Sequence, residues 1–170
     1  MADALHVVVD GEHVRRSFGM LTSFILAPDM MPSLLGDFAG EPVEERLCLL
    51  ASSRTIWHIF AQDAATVGAY PSFDDALAQT RDQADADYAA VLPGAVSMAR
   101  ALDEALALRG SSQLPPTLVD QIGADPAAGM GALGYYLRAA SLALCACAVA
   151  RRCEVGTLLS AVGQRLALAT

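Results

Sequence analysis

Apolar side chains recur at helical spacing along most of this chain. Val14, Phe18, Leu21 and Ile25 fall on one face of a helix predicted over Glu12–Ala27, which Pro28 stops. Pro28 to Gly40 reads as a connector with one turn around Ser33 to Phe38. Pro42 then stands where a first-turn proline belongs, and Glu44 and Glu45 suit the positive end of a helix running to Ala69. On that helix Leu47, Leu50 and Trp57 mark one side, and Leu49, Ile56 and Phe60 mark another. A helix apolar on nearly every side is a buried one, so the rest of the chain is expected to pack around residues 43–69.

Further along, Ser72 can cap a helix over Phe73–Leu92 whose apolar face is Leu77, Ala84, Tyr88 and Val91 and whose other faces are rich in aspartate. Pro93–Gly94 interrupts it, and a helix resumes to Arg109. After a loop over Gly110–Pro116, a short helix reaches Ile122. Asp125–Pro126 opens a long helix to Arg152, Gly156 allows a bend, and Thr157 can cap a last helix to Ala169. Leu5–Asp10, LHVVVD, supports two readings: a strand that needs a partner from outside, or a lead-in whose Asp10 caps the first helix. The cap is the preferred reading, with residues 1–11 as an N-terminal arm. Together these patterns predict an all-α fold, a single-domain bundle over 1–170 with about six helices around a central buried one.

Composition sharpens this picture. Apolar residues make up 54 % of the 170-residue chain and charged ones only 18 %, so either the core is unusually complete or one face is left for a partner. Gly131–Ala150 is apolar apart from Arg138 and Ser141 and is long enough to cross a bilayer. An arginine near mid-membrane costs about 2.5–3.5 kcal/mol even on lenient scales, so a core helix is expected and a membrane is not. The N-terminus lacks the basic and apolar regions of a secretory signal. Cys48, Cys145, Cys147 and Cys153 make a poor disulfide framework, so reduced thiols in a cytoplasmic protein are expected. A net charge of −8 with scattered arginines argues against nucleic acid and anionic lipid as partners.

All 11 basic residues are arginine, and asparagine is absent too, a pattern that GC-rich coding produces. Whatever its origin, it removes side-chain Schiff bases, the phosphate-loop lysine and N-glycosylation from consideration.

The candidates for chemistry are few. Arg54 and His58 lie four residues apart on the central helix beside Trp57, an arrangement in which Arg54 holds an anion and His58 moves a proton. The plainer alternative is that this face is the helix's solvated stripe. Asp87 sits beside the apolar face of its helix, as a counter-charge for a buried arginine, and Tyr88 next to it is a second proton-handling candidate. Arg138 is the one charge between Ala127 and Val149, placed to face Asp87 or a bound anion. Asp82, Asp85 and Asp87 do not converge on a helix, Cys145 and Cys147 point nearly opposite ways, and His6, His13 and His58 lack ligand spacing. No metal and no cofactor are expected. Cys48 and His58 are separated by ~15 Å on a straight helix, too far for a nucleophile and its base. With no assembled catalytic constellation, the leading expectation is a non-catalytic helical protein-interaction module, an adaptor, secretion chaperone or toxin-neutralising protein acting as a homodimer. The alternative is an enzyme or small-molecule binder with an anion-binding pocket inside the bundle.

Overall fold

The computed structural model describes residues 9–109 and 114–169, with only the backbone of Leu108 and Arg109. Residues 1–8, and with them the question of a strand over 5–10, lie outside the described residues. Helix α1 (Gly11–Leu26) starts because Asp10, in extended conformation, accepts a hydrogen bond from the His13 amide at 2.9 Å. A 3₁₀ turn (Pro28–Met30) leads directly into α2 (Met31–Gly40). This corrects the reading of 28–40 as a connector. Met31, Leu34, Leu35 and Phe38 have the spacing of one helical face, and Met31 and Phe38 are buried, so packing outweighs Pro32, Gly36 and Gly40.

The remaining helices are α3 (Val43–Thr66), α4 (Phe73–Tyr88), α5 (Pro93–Arg109), α6 (Pro116–Ala124), α7 (Pro126–Arg151) and α8 (Val155–Leu168). Helix α4 stops at Tyr88, a turn earlier than expected, and the Leu92 amide bonds back to the Tyr88 carbonyl. Val91 is therefore exposed at the α4–α5 corner and not on the core face. The chain turns after α7 at Arg152, in left-handed conformation with φ 55°, where the Cys153 amide bonds the Ala148 carbonyl at 3.0 Å. The bend is thus four residues before Gly156, and Thr157 lies within the first turn of α8 instead of capping it.

The bundle is all-α, and α3 is buried as its pattern implies, but it shares the centre with α7. Leu47, Leu50, Trp57 and Phe60 of α3 belong to one apolar cluster with Leu133, Tyr136, Leu137 and Leu144 of α7. Helix α7 is long and apolar enough to cross a membrane, yet 72 % of its apolar window is buried inside the bundle. Its small residues let neighbours approach closely. A methyl group on Gly131 would come within 2.4 Å of the Ala95 side chain on α5, and one on Gly134 within 2.9 Å of the Tyr88 hydroxyl.

Most buried polar side chains have protein partners, although Arg46 Nε and His58 Nε2 do not among the described residues. Between α1 and α3, Ser17 and Ser52 share a 2.6 Å hydrogen bond, and within α3 Ser53 donates to the Leu49 carbonyl. Arg46, nearly buried on α3, donates at 3.1 Å to the carbonyl of Ile122 in the last turn of α6, where a helix end carries partial negative charge. At the start of α1, His13 donates from Nε2 to Glu45 at 2.9 Å while its Nδ1 lies 2.7 Å from Asp10. Arg16 adds bonds to Glu41 and Glu45.

Gly131→Ala should destabilise the protein by about 1–3 kcal/mol, since overpacking against Ala95 outweighs the gain in helix propensity. Gly19→Ala, at a helical site with nothing near the added carbon, should instead stabilise by up to about 1 kcal/mol. Urea unfolding of the two variants beside the parent checks both signs.

Candidate functional site

The pairing of α3, α4 and α5 brings two arginines and a histidine onto one carboxylate. Asp103 of α5 is 16 % exposed and receives Arg54 Nε at 2.5 Å on Oδ1 and an Arg81 terminal nitrogen at 3.0 Å on Oδ2. His58 Nε2 lies 3.8 Å from Oδ1, beyond hydrogen-bond reach, and is buried without another partner among the described residues. Trp57, fully buried, supports the group from beneath. Its Nε1 donates to Thr80 at 2.8 Å, and the Arg81 guanidinium sits 5.5 Å from its ring centroid. Burial alone would raise the Asp103 carboxyl. The His58 imidazole and the Arg54 and Arg81 guanidiniums outweigh it and hold Asp103 at about 2.

Outside this cluster, Arg54, Thr55, His58, Ile59, Gln62 and Asp63 border a trough of about 400 Å³. All six come from one stripe of α3, so the trough is a surface feature, not a chamber inside the bundle. Here the helix is wet along one edge, with Arg54 and His58 partly exposed and Ile59 exposed.

Asp87 and Arg138 pair elsewhere, between α4 and α7. Arg138 Nε is 2.7 Å from Asp87 Oδ2, and Gln83 donates to the other oxygen at 3.1 Å. The Arg138 hydrogen bond lowers the Asp87 carboxyl against the small opposing effect of burial. This pair is largely solvated. A third carboxylate, Asp85, accepts from the Tyr135 hydroxyl at 2.7 Å and pairs with Arg100. Burial, reinforced by the Asp85 charge, drives the Tyr135 phenol upward, and burial raises Tyr88 as well.

A run of rings connects these groups. His58 meets Trp57 edge-on at 5.0 Å, Trp57 meets Tyr136 at 6.1 Å, Tyr136 meets Tyr135 at 5.8 Å, and Tyr135 meets Tyr88 at 6.2 Å. Arg54, Trp57 and His58 stand at one end of this ladder. Tyr88, with Asp87 and Arg138 on the neighbouring ion pair, stands at the other. Three rings separate His58 from Tyr88, so the two candidate proton carriers do not act on one reacting atom. Sequence reasoning missed Asp103 and Arg81, although the test that singled out Asp87 also applies to Asp103. It is an acid beside the core positions Ala99, Leu102 and Leu106 of its helix.

Because Asp103 titrates lower in the folded chain than in the unfolded one, its contribution is complete above about pH 4 and is lost as the pH falls toward about 2. Asp103→Asn should cost roughly 2 kcal/mol at neutral pH and flatten the stability profile between those limits. Arg138→Ala, which breaks a solvated pair, should cost less than about 1 kcal/mol. Denaturant unfolding at a series of pH values reads both.

No protein-family model matches the sequence, and no curated protein or solved structure matches it.

Proposed function

We propose that the protein is a non-catalytic helical protein-interaction module of the adaptor, secretion-chaperone or toxin-neutralising kind, cytoplasmic and dimeric. The observation that carries this reading is how the charged candidates are spent. Arg54 and Arg81 share Asp103, Arg138 holds Asp87, and Arg100 holds Asp85, so these groups satisfy one another rather than lining a common chamber. Apolar side chains meanwhile stay outside. Leu26 at the end of α1 is 58 % exposed and Met30 of the following turn is 54 % exposed, beside half-buried Leu34 and Leu35 of α2. Exposed apolar side chains close in sequence at the α1–α2 connection suit a partner surface. On α4, Asp74, Asp75 and Asp82 remain exposed while Asp85 and Asp87 are taken up, so the acidic face favours a basic partner at long range.

One observation favours a second reading. The trough bordered by Arg54 and His58 could seat a small anion, with Arg54 binding it and His58 exchanging a proton. Arg54→Ala abolishing the binding of small carboxylates while the fold persists would favour that reading.

The interaction reading expects Leu26→Glu with Met30→Glu to leave thermal unfolding nearly unchanged while removing partners cross-linked in the native cell. Asp74→Arg with Asp82→Arg should slow association with a basic partner. If both variants keep every partner and the parent's oligomeric state in sedimentation, the proposal fails.

A further inference from the structure

Helix α8 is lightly docked. Leu159 is its one buried residue among those described, and on the α1 side a methyl group on Gly163 would come within 3.4 Å of the Phe18 ring. Leaning on α1 at this point, α8 leaves a slot of about 90 Å³ on its other side, toward α7 and α3. The slot's walls are apolar, formed by Phe60, Leu144, Leu158 and Val162. Its rim is charged, with Arg151, Arg165 and Asp63.

Those two arginines differ from most others in the chain. Arg16, Arg54, Arg81, Arg100 and Arg138 each hold a carboxylate. Arg151 and Arg165 are exposed and make no ion pair with any described residue, including Asp63 on the same rim. Each stands in the last turn of its helix, where the helix end favours a cation but leaves the guanidinium's outer face free. In a protein with net charge −8, two uncommitted guanidiniums beside an apolar slot form a local positive site.

We propose that this slot binds a short, unbranched monocarboxylate, with its hydrocarbon body between α7 and α8 and its carboxylate on the rim arginines. Charge and size select this class. Two guanidiniums and one carboxylate leave the rim one charge positive, so a single negative charge balances it and a dicarboxylate adds repulsion from Asp63. A dry cavity of about 150 Å³ admits benzene, so a 90 Å³ slot takes a chain of about three or four carbons. The arginine–carboxylate contact supplies orientation, because charge-assisted bonds to a guanidinium are directional. The trough beside Arg54 shares only Asp63 with this slot, so the two sites are separable by mapping.

The experiment is a two-dimensional amide NMR titration of the full chain with butyrate, and with 1-butanol as the uncharged counterpart. Saturable butyrate shifts centred on Leu144, Leu158 and Val162, with much weaker binding of butanol, are expected. Arg151→Gln and Arg165→Gln should each raise the butyrate Kd at least about fivefold. Both side chains are exposed, so thermal melting should stay near the parent's. Val162→Phe, which fills the slot, should abolish the response. Equal binding of butanol, unchanged affinity in the arginine variants, persistence in Val162→Phe, shifts centred on Arg54 and His58, or no saturable response would each overturn the proposal.

Discussion

Backbone approach to α7 is the constraint on which the rest of the bundle depends. Its glycines and alanines carry little apolar area of their own, but they let other helices come close enough for large side chains to reach across. Gly131 admits Ala95 of α5, Gly134 admits the Tyr88 ring of α4, and the α3 side supplies Trp57, Leu50 and Phe60. Large side chains from the other helices thus share the core with Leu133, Tyr136 and Leu144 of α7, and α7 fixes where they can sit. The same apolar length that could cross a bilayer is used here to receive protein.

Close approach leaves little space for water, so polar groups inside the bundle need protein partners. The serine contacts between α1 and α3, the Arg46 bond to the end of α6 and the Trp57–Thr80 bond all follow from this. Asp103 is the same rule at its most demanding. A carboxylate at the edge of the core stays charged because two guanidiniums and an imidazole surround it, and in doing so it ties together α3, α4 and α5.

Much of this was legible in the chain, in proportion to how local each feature is. The apolar wrap of α3 and the Asp10 cap rest on residues close in sequence, and both were readable. Helix α2 was hidden because prolines and glycines mask a face that only tertiary burial of Met31 and Phe38 makes worthwhile. The extra turn expected of α4 rested on Val91 as a core residue, which the corner before Pro93 turns outward. Asp87 opposite Arg138 could be guessed because Asp87 borders the apolar face of α4 and Arg138 is the one charge between Ala127 and Val149. Asp103 could not be matched to Arg54 and Arg81, 49 and 22 residues earlier, without knowing how the helices pack.

The joint between α1 and α3 differs in kind from one made by arginine. Both ring nitrogens of His13 face carboxylates, Asp10 on one side and Glu45 on the other, and only the imidazolium carries a proton toward each. Burial opposes that charge, but the two acids outweigh it and hold His13 above its ordinary value. Its stabilising contribution is thus complete below about pH 6.5 and disappears as the pH rises through the higher folded value. Alkali would loosen the start of α1, where Arg16 alone keeps its grip on Glu41 and Glu45, whereas acid would loosen α5 from α3 and α4. The bundle has seams that open on opposite sides of neutrality, so which end of the molecule frays first is a choice made by the solvent.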